Sequence, residues 1–230
     1  MSTLDLPSPR RPSTRALGLT AAVLWLETVV VGWYVLYVPG VRVTDPMILV
    51  YPLVWINASL LALWLVDPPG ASRRTRLLGG LLAVGYFLVL AYAGGLLSLG
   101  HALHGHAHAF GFSVAWSLPP GWGPTVTYAG SLVGFVVTPY KVLGYATLSY
   151  LVYVTVLETA GSAWAGAVGL FSCVSCTWPV LGTVLAGVFG SSAAVVVFAS
   201  SRPYAASTLV FLSAVGLLLW RPFDRLAPGS

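Results

Sequence analysis

The chain has 230 residues, of which 57% are hydrophobic and only 17 are charged: 11 Lys and Arg against 6 Asp and Glu. A soluble domain carries about a quarter of its residues charged, and here no Lys, Arg, Asp or Glu occurs between Leu77 and Tyr140 or between Thr159 and Ser201. That excludes a soluble enzyme, a disordered chain and, despite a net charge of +5, a nucleic-acid binder, and it predicts a multi-pass protein of the cell membrane with the lipid bilayer as its surroundings.

The elements follow in chain order. Residues 1–15 form a polar, Pro-rich cytoplasmic tail. Three apolar runs, 16–38, 46–66 and 77–99, are each long enough to cross a hydrocarbon core of about 30 Å. Pro39-Gly40 and Asp67-Pro68-Pro69-Gly70 separate them. Residues 100–137 form an outer loop that holds all four histidines and ends in a shorter apolar piece, interfacial or re-entrant.

Thr138-Pro139 reads as a helix start, because Thr caps an N-terminus well and Pro is favoured at the first helical position. Three further spans are predicted over 138–220, the middle one over about 163–187. Residues 221–230 close the chain in the cytoplasm. The expected fold is an all-α polytopic transmembrane bundle of six helices with a cytoplasmic N-terminus. The alternative, with Trp122–Tyr140 as a separate span, has seven. The Arg clusters at 10, 11 and 15, at 73, 74 and 76, and at 221 and 225 mark the cytoplasmic side.

Trp25, Trp33, Tyr34, Tyr37, Trp116 and Trp122 suit interfacial belts. Gly pairs such as Gly94-Gly95 suit close helix packing.

Three features carry chemistry. The first is Ser172-Cys173-Val174-Ser175-Cys176-Thr177-Trp178-Pro179. Cysteines three apart share a helix face, where they can oxidise to a disulfide or hold one soft metal ion. Pro179 has no N–H to give the Ser175 carbonyl, which predicts a freed oxygen and a kink beside Cys176. Two small residues that simply pack a helix are the other reading.

The second feature is His101, His104, His106 and His108, four imidazoles in eight residues, a density that suits Cu(II), Zn or Ni. A plain polar loop is the alternative. The third is depth. Glu27 and Asn57 fall near the middle of the first two runs, where an ionisable group is costly and marks a functional hypothesis. A Glu27–Asn57 hydrogen bond is the structural alternative.

The run Cys176-Thr-Trp-Pro179-Val-Leu-Gly182, with Gly190-Ser-Ser, Arg202-Pro203-Tyr204 and Trp220-Arg221, resembles the core hairpin of mercuric-ion transport membrane proteins. Cys-x-x-Pro-Val-Leu-Gly is also similar to a thiol-bearing helix of the cytochrome c biogenesis thiol-disulfide carriers. Each resemblance covers about 50 residues. Over its whole length the chain resembles multi-pass membrane proteins of halophilic archaea, which implies no activity.

These observations predict a non-catalytic protein that handles a soft metal ion, copper or similar, for transport or for delivery to a membrane metalloenzyme. One alternative is a thiol-disulfide electron carrier serving a redox partner across the membrane. Another is a non-catalytic subunit or assembly factor of a respiratory complex.

Overall fold

A computed structural model describes residues 14–38, 45–99, 111–130, 132–159 and 202–220. The chain divides into two units, Met1–Thr44 and Asp45–Ser230. The first holds helix α1, Thr14–Tyr37, in which the Thr28 hydroxyl donates back to the Leu24 carbonyl (2.7 Å) and Trp33 stacks on Tyr37.

The second unit holds α2 (Met47–Leu65), α3 (Arg73–Ala93), β1 (Leu97–Leu99), β2 (Gly111–Ala115), β3 (Thr125–Ala129), β4 (Val133–Val137), α4 (Pro139–Thr159) and α5 (Pro203–Trp220). The expected all-α six-helix bundle is therefore corrected. The described residues form five helices and a four-stranded antiparallel sheet in the order β1-β4-β3-β2. The apolar piece expected to be interfacial or re-entrant is a β-hairpin, and so is most of the Trp122–Tyr140 stretch of the seven-span alternative. The physical reason lies in the residue types. Thr125, Val126, Thr127, Val133, Val136 and Val137 are β-branched, stiff at χ1 and suited to a pleated surface. The middle predicted span of the C-terminal half, 163–187, lies outside the described residues.

Each helix end has a local cause. Asp45 accepts the Met47 N–H at its side-chain Oδ1 (2.9 Å) and starts α2. Ser72 caps α3 by accepting from the Thr75 N–H (3.2 Å). Helix α3 stops at Ala93, short of the predicted 99, because Gly95 turns into the left-handed region at φ +75°. There its N–H bonds the Tyr92 carbonyl (3.2 Å) and the Leu96 N–H bonds the Ala91 carbonyl (2.8 Å). This pair of bonds closes a Schellman cap, and β1 begins two residues later. Helix α4 begins at Pro139, with the Thr138 carbonyl accepting from the Val142 N–H (3.1 Å).

Helix α4 is the centre of the bundle, packed against α2, α3 and α5. Lys141, in its first turn, donates from Nζ to the Gly94 carbonyl at the end of α3 (3.1 Å), so α3 and α4 run antiparallel. Helices α2, α4 and α5 run parallel, because Trp122 touches the first turns of all three: the Ile48 carbonyl, Tyr140 and Tyr204. Tyr150 reaches the far end of α2, donating to the Val66 carbonyl (3.1 Å). The sheet thus caps the end where α2, α4 and α5 start and α3 stops.

Gly144 is what lets α4 approach α2. A Cβ there would collide with the ring of Trp55 and meet Phe211 at 3.2 Å. Overpacking costs about 1–3 kcal/mol, and the helix propensity of Ala returns roughly 1 kcal/mol of it. Gly144→Ala is therefore expected to lower stability by about 1 kcal/mol and Gly144→Leu by more, read as the denaturation midpoint of the detergent-solubilised protein. A stabilised Gly144→Leu variant would contradict this packing.

Met47–Leu65, Arg73–Ala93 and Pro139–Glu158 are long and apolar enough to cross a membrane. Their outward surfaces are apolar as well: Leu60, Leu61 and Trp64 on α2 and Leu77, Leu81 and Leu82 on α3 are exposed. A helix that is apolar all round belongs inside a protein or inside a bilayer.

Candidate functional site

The junction between the bundle and the sheet is built from aromatic side chains. Trp55, on α2, is 4% exposed. It stacks on Phe211 of α5 at 4.0 Å between ring centroids and 6° between planes, and it meets Tyr140 and Tyr145 of α4 edge-on at 5.5 and 5.8 Å. Its indole N–H donates to Thr208 Oγ1 on α5 (3.0 Å), which in turn donates to the Tyr204 carbonyl (2.8 Å). Edge-on contacts like those with Tyr140 and Tyr145 are a favoured arrangement of aromatic pairs, and the buried indole N–H has its partner.

The segment Pro119-Pro120-Gly121-Trp122-Gly123-Pro124 clamps the sheet to the bundle. Pro52, inside α2, has no N–H for the carbonyl four residues back, which is that of Ile48. The Trp122 indole supplies the missing donor (2.8 Å). Trp122 also packs edge-on against Tyr140 (4.8 Å) and Tyr204 (5.2 Å). The Tyr140 N–H donates to the Gly121 carbonyl (3.1 Å), and Thr125 Oγ1 donates to the Trp122 carbonyl (2.5 Å). Trp122, read from sequence as a belt residue, is thus a partly buried anchor. Its signal in the sequence is the Pro/Gly density on both sides combined with a Pro inside a long, uncharged and mostly apolar run.

The residues singled out from the sequence fall as follows. His101, His104, His106 and His108 lie outside the described residues, but the strands on either side of them do not. Leu99, at the end of β1, pairs with Val133. Gly111, at the start of β2, pairs with Ala129, and Ala129 with Gly134. Leu99 and Gly111 therefore sit at the same end of the sheet, the end away from the helices, on opposite edges. Three strand spacings separate them, about 14 Å.

Cys173, Cys176 and Pro179 lie outside the described residues. Glu27 is half-buried on α1, in the other unit. Asn57 is half-buried on α2 and donates from Nδ2 to the Leu53 carbonyl of its own helix (2.9 Å).

Among the described residues no group of three His, Cys, Asp or Glu is placed to hold a metal ion. The junction offers indoles, phenols and hydroxyls. One turn along from the Trp55–Gly144 contact, Ser59 and Thr147 are fully buried with unbonded hydroxyls. This chemistry fixes a scaffold: it holds the two anchors of the histidine-containing connection at set positions.

Apolar helices carrying a small antiparallel sheet at one end, joined by an aromatic clamp, define the class of this protein. The chain belongs to a family of unknown function, DUF7546, whose model matches residues 1–225. No curated protein and no solved structure matches the chain.

Proposed function

We propose that this is a multi-pass protein of the cell membrane that takes a soft metal ion, copper or similar, as its cargo, for transport or for delivery to a membrane metalloenzyme. The observation that carries the reading is the setting of the histidines. Four imidazoles in eight residues belong to an eleven-residue connection, 100–110, between Leu99 and Gly111. Both flanking residues are tied into one sheet. Fixing both ends of a chain removes part of the entropy that closing it around an ion would cost. No charged residue between Leu77 and Tyr140 competes for the ion or repels it. The Cys173-x-x-Cys176 pair supplies a second, softer donor set within an apolar stretch, which favours Cu(I) over hard cations. The membrane part of the reading is supported by the three helices of spanning length and composition and by their apolar outward surfaces.

Metal analysis of the detergent-purified protein tests this. The wild-type chain is expected to retain Cu(I) and to bind Cu(II) or Zn. Alanine at all four of His101, His104, His106 and His108 abolishes the Cu(II) and Zn binding. Cys173→Ser with Cys176→Ser abolishes Cu(I) retention. Wild-type protein that binds none of Cu(I), Cu(II), Zn or Hg would overturn the proposal.

A further inference from the structure

The strand register divides the sheet into two chemically distinct faces. Side chains directly across a ladder share a face, and neighbours along a strand alternate. Phe112 pairs with Tyr128, Tyr128 with Phe135, and Phe135 with Leu97. One row across all four strands is therefore wholly apolar or aromatic, and Tyr128 and Phe135 stack within it at 5.3 Å. The next row on the same face is Val114, Val126 and Val137. The opposite face carries mostly small and hydroxylic residues, with Ser113 across from Thr127 and Ser98 across from Gly134; Val136, across from Thr127, is its one large apolar side chain.

The apolar face is open over much of its area. Phe112 is 67% exposed and Tyr128 42%, and Trp116, just past the end of β2, is 75% exposed, whereas Phe135 and Leu97 are half-buried. An amphipathic sheet normally turns such a face inward, and monomeric soluble proteins rarely leave one open.

The chain also limits where the sheet can be. Three residues separate the last of α3 from the first of β1, and only Thr138 separates β4 from α4. Both helices are of spanning length and composition, so the sheet is held at the level where two spans end. The exposed Leu88, Val89 and Tyr92 on the last turns of α3 lead the apolar flank up to it. No residue from Leu77 to Tyr140 is charged, although a sheet with water on both faces would carry charge. Aromatic side chains favour the layer between hydrocarbon and headgroups.

From these observations we infer that the sheet is a membrane-interface platform: its Phe112/Tyr128/Phe135 face lies against lipid, and its Ser113/Thr127 face is turned to water. The inference rests on the proposed membrane location and goes beyond it in assigning a lipid-binding surface to the β-sheet.

Single cysteines test it in the full chain carrying Cys173→Ser and Cys176→Ser. The positions are Phe112→Cys, Tyr128→Cys, Ser113→Cys and Thr127→Cys, with Leu82→Cys on the exposed side of α3 as the control for the membrane location. Trp116→Cys stands in should Phe112→Cys fail to fold. Each variant is labelled with an environment-sensitive fluorophore and reconstituted into phosphatidylcholine vesicles with brominated acyl chains. Probes at 82, 112 and 128 are expected to lose most of their emission, whereas those at 113 and 127 keep theirs. Quenching at 82 with bright probes at 112 and 128 would overturn the inference and leave the membrane location standing. A bright probe at 82 would overturn both. Equal quenching at all four sheet positions would overturn the two-faced platform. Probes at 112 and 128 that escape brominated lipid but transfer energy between labelled copies would assign the face to a second copy, and this too would overturn the inference.

Discussion

Trp55→Ala is expected to cost about 3–5 kcal/mol of stability, the range for truncating a fully packed aromatic residue. Three helices converge on this side chain: α2 carries it, α5 stacks Phe211 on its face at 4.0 Å, and α4 sets Tyr140 and Tyr145 against its edges. Because α4 approaches closely at Gly144, the backbone has little room to collapse into the space left behind, and the cavity persists. Trp55→Phe keeps a ring in the stack but loses the indole N–H. Thr208 retains its bond to the Tyr204 carbonyl, so that change costs only about 1 kcal/mol. Trp64, on the same helix and 72% exposed, is the control, and Trp64→Ala should stay within about 0.5 kcal/mol of wild type. Denaturation of the detergent-solubilised protein, followed by near-ultraviolet circular dichroism, measures all three. Equal midpoints for Trp55→Ala and Trp64→Ala would refute this view of the core.

The second expected result is a coupling between two residues 70 positions apart. Trp122→Phe removes the indole donor that reaches the Ile48 carbonyl from outside α2, and Pro52 offers none from within it. An unpaired carbonyl in partly buried surroundings costs about 1–3 kcal/mol. Pro52→Ala restores a backbone N–H at the position that normally bonds Ile48. In that background Trp122→Phe should cost clearly less, giving a coupling energy of about 1 kcal/mol or more in a double-mutant cycle. The same penalty in both backgrounds would show that Trp122 acts through its ring contacts with Tyr140 and Tyr204 alone.

The two expected results concern residues of very different legibility. Trp55 sits in an apolar run that any reading assigns to a helix, but its partners Gly144, Thr208 and Phe211 become neighbours only when α2, α4 and α5 pack. Trp122 was legible as an aromatic residue in a turn. That it answers the Pro52 break depends on a contact across 74 positions.

The strands are hard to read from the sequence for a different reason. A mostly apolar stretch with no charge offers little period by which to tell a buried helix from a strand, and residues 125–137 are such a stretch. Their β-branched content was the available signal. The Phe112-Ser113-Val114-Ala115-Trp116 alternation was a second, period-two signal, hidden by its position in what read as a loop.

The sequence by itself determined the apolar character of the chain, the helices long enough to span a bilayer and the positions of the histidines and cysteines, because composition and run length suffice for these. It could not determine that β1 pairs with β4, or that Phe112, Tyr128 and Phe135 form one row. Those depend on backbone hydrogen bonds between residues far apart in the chain, and register decides which face each side chain joins. A slip of one residue would turn the aromatic row to the opposite face; only the tertiary structure selects the pairing that collects the apolar side chains on one side.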